Sequence, residues 1–394
     1  MATERSDDLV VRRADGARLD LGRPLEAVLG LPFDALTLDE AVAEVRRCAR
    51  ERQPCFISTP NVNFAVAAHA DAGFRASVLH SDLSLADGMP VVWAARLLGQ
   101  RLPERVSGSD LFARLQREPG DPLTVYFFGG PEGVAERAAA ALNARAGGLR
   151  CVGFDSPGFG SVAEMSGEER IARINASGAD FLVVSLGARK GQAWIEHNRA
   201  RLAPPVVCHL GAVVNFVAGE VRRAPVALQR LGLEWLWRVK EEPTLWRRYA
   251  GDGLALLRLV GGALGPALRR SLRANAGQPR AALRVERRPG LALLRPSGHW
   301  QREDAPRLAA AAAQALREGL AVQVDAGAVA SLDGRVVALL MLIDGWQAGG
   351  PRALLPATAL AAPVREALRR CGAGYLVETP ASPSQSAEEQ RAAH

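Results

Sequence analysis

From residue 25 to about residue 248 the chain alternates short apolar runs with longer stretches whose apolar residues recur at helical spacing. The runs 55–58, 83–85, 124–128, 181–185 and 205–209 are short, continuous and apolar, the pattern of strands covered on both faces. Between them, 38–52, 63–79, 90–98, 133–146, 168–176 and 192–200 read as helices. Strand–helix alternation of this kind predicts a parallel, Rossmann-like α/β sheet with helices on both faces. Right-handed crossovers then place the functional loops at the carboxyl edge of the sheet.

The pattern changes after residue 220. Strand signals stop, and 221–274 becomes a basic, aromatic, helical appendage carrying Arg222, Arg223, Arg230, Arg238, Lys240, Arg247, Arg248 and Arg258 among Trp235, Trp237 and Trp246. Residues 274–278 are polar and Gly-bearing, a linker. A second small α/β domain is expected over 281–378: a hairpin at 282–287 and 291–296, a helix at 307–318, a strand at 320–324, a helix at 336–348, a strand at 353–356 and a helix at 363–371. Residues 1–24 read as a flexible leader, and 379–394, rich in Ser, Pro, Glu and Ala, as a disordered tail.

Composition narrows the function. With 394 residues, 48% of them hydrophobic, the chain can bury more than one core. Its net charge of +7 favours anionic partners: nucleic acid, acidic headgroups or phosphorylated substrates. Cys48, Cys55, Cys151, Cys208 and Cys371 form no CxxC pair, which argues against a disulfide framework or zinc ribbon and for a reducing compartment. The first residues show no signal-peptide pattern. No run of about 20 apolar residues is present; the nearest, 253–268, is interrupted by Arg258.

Several strand ends carry chemistry. Ser58-Thr59-Pro60-Asn61 turns out of one, and Thr59 and Asn61 can either meet a ligand hydroxyl or phosphate or cap the next helix. Asp87, in Ala86-Asp87-Gly88-Met89-Pro90, can be a general base tuned by burial, or a helix cap. Gly129 and Gly130, between a strand and a helix, either hold a phosphate or form a plain βα turn. Arg105, with Ser107 and Ser109, can grip a diphosphate; alternatively Asp110 caps a helix and Arg105 is solvated. Arg189, Lys190 and Gln192 follow another strand and suit an anion or plain solvent. No D-x-D triplet and no metal-ligand histidine spacing is found, so neither a metal nor a cofactor is expected.

The blocks STPNVNFAVAA, SDLSLADGMPVVWAARLLGQRLPERVSGSDLF, FFGGPEGVAERAA, INASGADFLVVSLGARKGQAWIEHNR and GAVVNFVAGEVRRAPVALQRLGLEWLWRVKEEPTLWRRY occur in one order over about residues 25–252. Together they resemble the WecG/TagA/CpsF glycosyltransferases. The resemblance implies inverting, metal-independent transfer of an N-acetylmannosamine-like sugar or its uronate from a UDP donor to a saccharide on a polyprenyl diphosphate. It implies Asp87 as base, Thr59 and Asn61 as sugar contacts, Arg105 at the leaving diphosphate, and Arg223 and Arg230 on lipid diphosphate. Ser109, Asp110, Gly129, Gly130, Gln192 and Asn215 complete the expected site. Two positions depart from the pattern: Gly191 stands where many relatives have glutamine, and Asn215 where an aspartate is common.

The Trp/Arg appendage fits an anionic membrane surface on the cytoplasmic side. The segment AVQVDAGAVASLDGRVVALLMLIDGWQAGG resembles, more loosely, a STAS domain, with Asp333-Gly334-Arg335-Val336 at its D-S-[ST]-G tetrad and Gly334 at the phosphorylatable position. This segment is either a docking or regulatory module for a protein partner or a structural add-on. The competing reading is a non-catalytic UDP-sugar-binding scaffold that recruits partners through that domain. Nucleic acid is not an expected partner, because no such motif accompanies the charge.

Overall fold

The computed structural model describes residues 7–13, 17–221, 223–225, 228, 232–272, 279–348, 354–356 and 360–377. The chain divides into two compact units. One comprises Arg13–Ala17 and Pro24–Gly261; the other joins Met1–Arg12 and Arg18–Arg23 to Gly262–His394.

The second unit begins with the first strands of the chain. β1 (Val10–Arg12) and β2 (Arg18–Asp20) pair antiparallel, and β1 packs with the turn Asp7–Leu9 on the helix Ala305–Arg317. Val10, Val11, Leu19 and Leu21 are buried, and Arg18 binds Asp20 at 3.0 Å. The expected flexible leader is therefore corrected: residues 7–12 and 18–23 are structured, because four apolar side chains too sparse to show a periodicity find cover on a helix 300 residues away in sequence.

In the first unit, β3 (Leu25–Val28) and β4 (Leu31–Asp34) form a wholly buried hairpin whose two turn residues, Leu29 and Gly30, take φ of 50° and 84°. α1 (Leu38–Arg50) follows, started by a Thr37/Glu40 capping box. The strands β5 (Cys55–Ser58), β6 (Leu83–Ser84), β7 (Leu123–Gly129), β8 (Leu149–Asp155), β9 (Phe181–Ser185) and β10 (Val206–His209) make one parallel sheet in the order β6-β5-β10-β9-β7-β8. Alternate side chains point to opposite faces, so β5, β7, β9 and β10 each feed two cores. Ile57, Val125, Phe127, Val183, Val206 and Cys208 pack on one face with α1, α5 (Gly108–Arg117) and α6 (Val134–Asn143). Phe56, Tyr126, Phe128, Leu182, Val184 and Val207 pack on the other with Trp194 of α8 (Ala188–Asn198) and Ile171 and Ile174 of α7 (Glu168–Ala176).

The parallel α/β core is thus as expected. One expected helix, 63–79, is two: α2 (Val62–Ala70) and α3 (Ala72–Leu79). Asp71 takes extended dihedrals between them, and its side chain accepts from Phe74 N to start α3. β8 had no sequence signal, because it is an edge strand buried only at Leu149 and Cys151 and shows no continuous apolar run.

Between residues 221 and 272 the described elements are helical: Glu234–Glu241, a short turn Pro243–Leu245, and Trp246–Leu272. The last contains Pro266, and the division between units falls within it, at Gly261 and Gly262, not at the expected linker. No helix among the described residues is long and apolar enough to cross a membrane.

In the second unit, β11 (Ala282–Arg288) pairs antiparallel with the long β12 (Leu291–Trp300). β13 (Ala321–Val324) and β14 (Ala328–Leu332) both run parallel to β12, one along each half. The helix Gly334–Trp346 is buried at every position except Arg335 and Asp344. Ala362–Cys371 closes the described order of helices. The strand expected over 353–356 is not formed at residues 354–356, and residue 353 lies outside the described residues, as does the tail 379–394. Deleting residues 1–23 should uncover the helix Ala305–Arg317; faster proteolysis within residues 279–377 and a lower melting temperature are the expected results, and unchanged cleavage rates would show that β1 adds nothing to that unit.

Candidate active site

Asp87 lies just past β6, and its backbone is pinned from both sides. Leu85 N donates to Ser58 O at 2.9 Å and Asp87 N to Pro60 O at 3.0 Å, which carries the β5–β6 pairing beyond the strands. Val106 N donates to Ala86 O at 2.9 Å from the other side. Gly88 then takes φ of 120°, a conformation that L side chains rarely adopt, and turns the chain into α4 (Met89–Leu97). The cap is thus glycine, and the Asp87 side chain is left for other work.

The Asp87 carboxylate forms no hydrogen bond among the described residues. Part of its surface stays open, but protein crowds it on most sides. Burial pushes its pKa up to about 6, against the pull of Arg105 and Arg238 and with the help of the anions Glu234 and Asp110. A carboxylate in that range is a competent base near neutral pH.

Beside it stands a network of charges. Arg105 Nη2 donates to Asp110 Oδ2, and Arg105 Nη1 to Glu234 Oε1 in the helix Glu234–Glu241. The Ser107 hydroxyl donates to Asp110 Oδ2 at 2.7 Å, and Arg223 Nη2 to Asp110 Oδ1 at 2.5 Å and to Ser109 Oγ at 3.2 Å. Burial alone would raise Asp110; Arg105, the Ser107 hydroxyl and Arg223 outweigh it, and its pKa falls below the ordinary value. Two guanidinium groups therefore converge on one carboxylate. The expected cap role of Asp110 belongs to Ser107, whose Oγ accepts from Asp110 N at 3.1 Å to open α5.

The other expected residues are distributed along the same carboxyl edge. Thr59 is buried against Gly108, the first residue of α5. Asn61 caps α2, accepting from Phe64 N at 3.2 Å. Gln192 is fully buried; its Nε2 donates to Ser58 Oγ at 2.8 Å, and its Oε1 has no partner among the described residues. Gly129 ends β7 and Gly130 follows it, with φ of 104° and 86°, and Gly130 N donates to Ser185 O at 2.8 Å. A Cβ on Gly129 would sit 2.6 Å from Ser185 O, so the turn requires glycine. By strand order this turn lies four strand spacings from Asp87, about 19 Å. The glycine turn and Asp87 therefore cannot act on the same atom. Asn215 is half-buried in the helix Val213–Val217, where its carbonyl accepts from Glu220 N at 3.0 Å. Arg230 lies outside the described residues.

Two residues escaped the sequence reading. Glu234 and Arg238 were visible only as charges in a charge-rich segment, and no local pattern says that a residue 129 positions away will meet Arg105. Arg238 also stacks over Phe216 at 5.5 Å.

A lone basic carboxylate beside paired guanidinium groups, at the carboxyl edge of a parallel sheet, is a layout for group transfer from an anionic donor. The chain belongs to the glycosyl transferase WecG/TagA/CpsF family, whose model matches residues 26–270, and it is a glycosyltransferase. It is similar to the N-acetylglucosaminyldiphosphoundecaprenol N-acetyl-beta-D-mannosaminyltransferase of Bacillus subtilis (strain 168), 30% identical over 194 residues that are 49% of this chain and 73% of the relative. The enzyme of the same name from Bacillus spizizenii is 28% identical over 199 residues, 50% of this chain and 76% of the relative.

The departure at Gly191 has a structural reason. A Cβ there would lie 2.1 Å from His209 Cδ2, and the His209 ring is fixed by a 2.6 Å contact between Nε2 and Leu186 O. Gly191→Ala should cost about 1–3 kcal/mol of stability through this overpacking, measured by denaturant unfolding. His209→Ala in the same chain should recover part of the loss; no recovery would mean that another neighbour imposes the glycine.

Proposed function

We propose that this glycosyltransferase moves an N-acetylmannosamine-like sugar from a UDP donor to a saccharide on a polyprenyl diphosphate, with inversion and without a metal. The observation that carries the reading is the Asp87 carboxylate, which has no hydrogen bond among the described residues and is raised to about 6 beside Arg105. The activity named for the two bacterial relatives supplies the acceptor class. In the proposed step the acceptor hydroxyl oxygen bonds to C1 of the donor sugar from the face opposite UDP. Its proton passes to Asp87. The C1–oxygen bond to the diphosphate breaks, and its electron pair leaves with UDP. Arg105 and Arg223 offset the charge that builds on the departing diphosphate. Thr59 and Asn61, one strand away from Asp87, are assigned to the sugars.

Contact with an anionic membrane surface is part of the same reading. Trp93 and Leu97 of α4 are exposed, as are Trp235, Leu236, Trp246, Leu254 and Leu257. Gly232 is seated against the Trp93 ring, so α4 and the segment before Glu234 meet there. Cations sit on the aromatic rings: Lys240 over Trp237 at 5.0 Å and Arg247 over Trp246 at 5.6 Å. Exposed aromatic and aliphatic groups among cations suit a headgroup interface. The second unit we read as a STAS-like docking module; Asp333 starts its buried helix by accepting from Arg335 N at 3.0 Å.

Transfer assays across UDP-sugars with a lipid-diphosphate saccharide test the chemistry. Asp87→Asn should lower the rate by roughly 100- to 10,000-fold while UDP still binds. Wild-type rate should rise with pH through about 6 and level off above it, since only the deprotonated Asp87 accepts a proton. A raised carboxylate contributes stability below its unfolded pKa and loses it as pH rises through the folded value, so Asp87→Asn should melt no lower than wild type at pH 8. Loss of UDP binding or of fold in that variant would make Asp87 structural.

Replacing Trp235, Trp246 and Leu257 together by serine should abolish co-sedimentation with vesicles containing anionic lipid. Undiminished sedimentation would remove this surface from the membrane model.

A further inference from the structure

Arg105 is gripped by two carboxylates that reach it from different elements, Asp110 in α5 and Glu234 in the helix Glu234–Glu241. Its side chain is 13% exposed, and these are its partners among the described residues. A guanidinium is planar and carries five N–H donors in a fixed fork. Carboxylates on both terminal nitrogens fix that plane and leave Nε–H and the remaining Nη hydrogens for a ligand. Asp110 cannot do this alone, because it also holds Arg223 and Ser107 and would let the Arg105 fork pivot about a single contact.

We propose that Glu234 is a positioning residue: with Asp110 it brackets Arg105 and aims its guanidinium at the departing diphosphate. The proposal rests on the reading of Arg105 given above and adds to it what the helix Glu234–Glu241 supplies. In this proposal Glu234 touches Arg105 and not the substrate. The Arg105 and Glu234 side chains are 13% and 31% exposed, so losing one partner leaves a poorly solvated charge and the pair also bears on stability. Its location beside Asp87 matters more. The charged groups around Asp87 are Arg105, Arg238, Glu234 and Asp110, and the Cys208 thiol is near enough to feel its charge. Glu234 therefore acts on both halves of the chemistry: it orients the cation at the leaving group and adds negative potential at the base.

The test uses the full chain with Glu234→Gln, which keeps the shape and removes the charge. With Arg105 mis-aimed, kcat should fall by roughly 10- to 100-fold, with a smaller change in KM for the donor. The acid limb of the rate profile should move to lower pH, because one of the two anions that raise Asp87 is gone; a merely structural role would leave that limb in place. Glu234→Asp, which restores the charge with a shorter reach, should recover part of the rate. Glu241→Gln, exposed on the same helix, should leave the rate unchanged. Equilibrium binding of UDP reads the bracket without catalysis and should weaken about tenfold in Glu234→Gln. Unchanged kcat, acid limb and UDP affinity in Glu234→Gln would overturn the proposal. If wild type fails to transfer any UDP-sugar but its UDP affinity still depends on Glu234, the catalytic reading falls and the bracket stands.

Discussion

Keeping a carboxylate with no hydrogen bond in a crowded site is unfavourable, because the charged form loses water and gains no donor in exchange. Among the described residues Asp87 is in that condition, held by the backbone around it. Pro60 O and Val106 N tie the segment 86–87 to the neighbouring chain, and Gly88 takes the next turn in a conformation that few residues share. The carboxyl edge of the sheet is organised around this one group. Arg105 and Arg238 lower its cost, and Asp110 and Glu234 keep those cations from neutralising it altogether. The balance leaves a group that changes charge near pH 6.

The two-faced sheet supplies the rigidity this balance needs. Alternate residues of β5, β7, β9 and β10 are buried in separate cores, so no strand can slip by one residue without exchanging its faces. The strand ends then hold fixed positions: Ser58–Asn61 next to Asp87, and Gly129–Gly130 about 19 Å away on the far side of β5, β10 and β9. A donor with a nucleotide, a diphosphate and a sugar is long enough to use such a spread-out edge. The His209 ring against Gly191 shows that the same edge is also tightly packed.

Much of this was legible from local pattern. Strands covered on both faces are continuous apolar runs, and β5, β7, β9 and β10 were found on that ground. For Asp87 the local pattern left a base and a helix cap both open, since an aspartate before Gly-x-Pro suits either, and the base was implied by the family resemblance. Where the reading failed, burial came from afar or was only partial. β8 is an edge strand and shows no run; Asp71 breaks a helix through a side-chain cap that composition does not reveal.

The sequence by itself determined the parallel α/β core, the helical character of the basic segment after residue 220, and the membership of its motifs in one family of glycosyltransferases. Each of these depends on the order and period of residues close together in the chain. Tertiary structure decided which charges meet. Arg105 could have been solvated, Asp110 could have capped a helix, and Glu234 was one acid among several. Packing the helix Glu234–Glu241 near α5 made them a single bracket beside Asp87. It also decided that β1 and β2 belong to the C-terminal unit, because a short apolar stretch gains its stability from whichever surface covers it, and periodicity records only that one side wants cover.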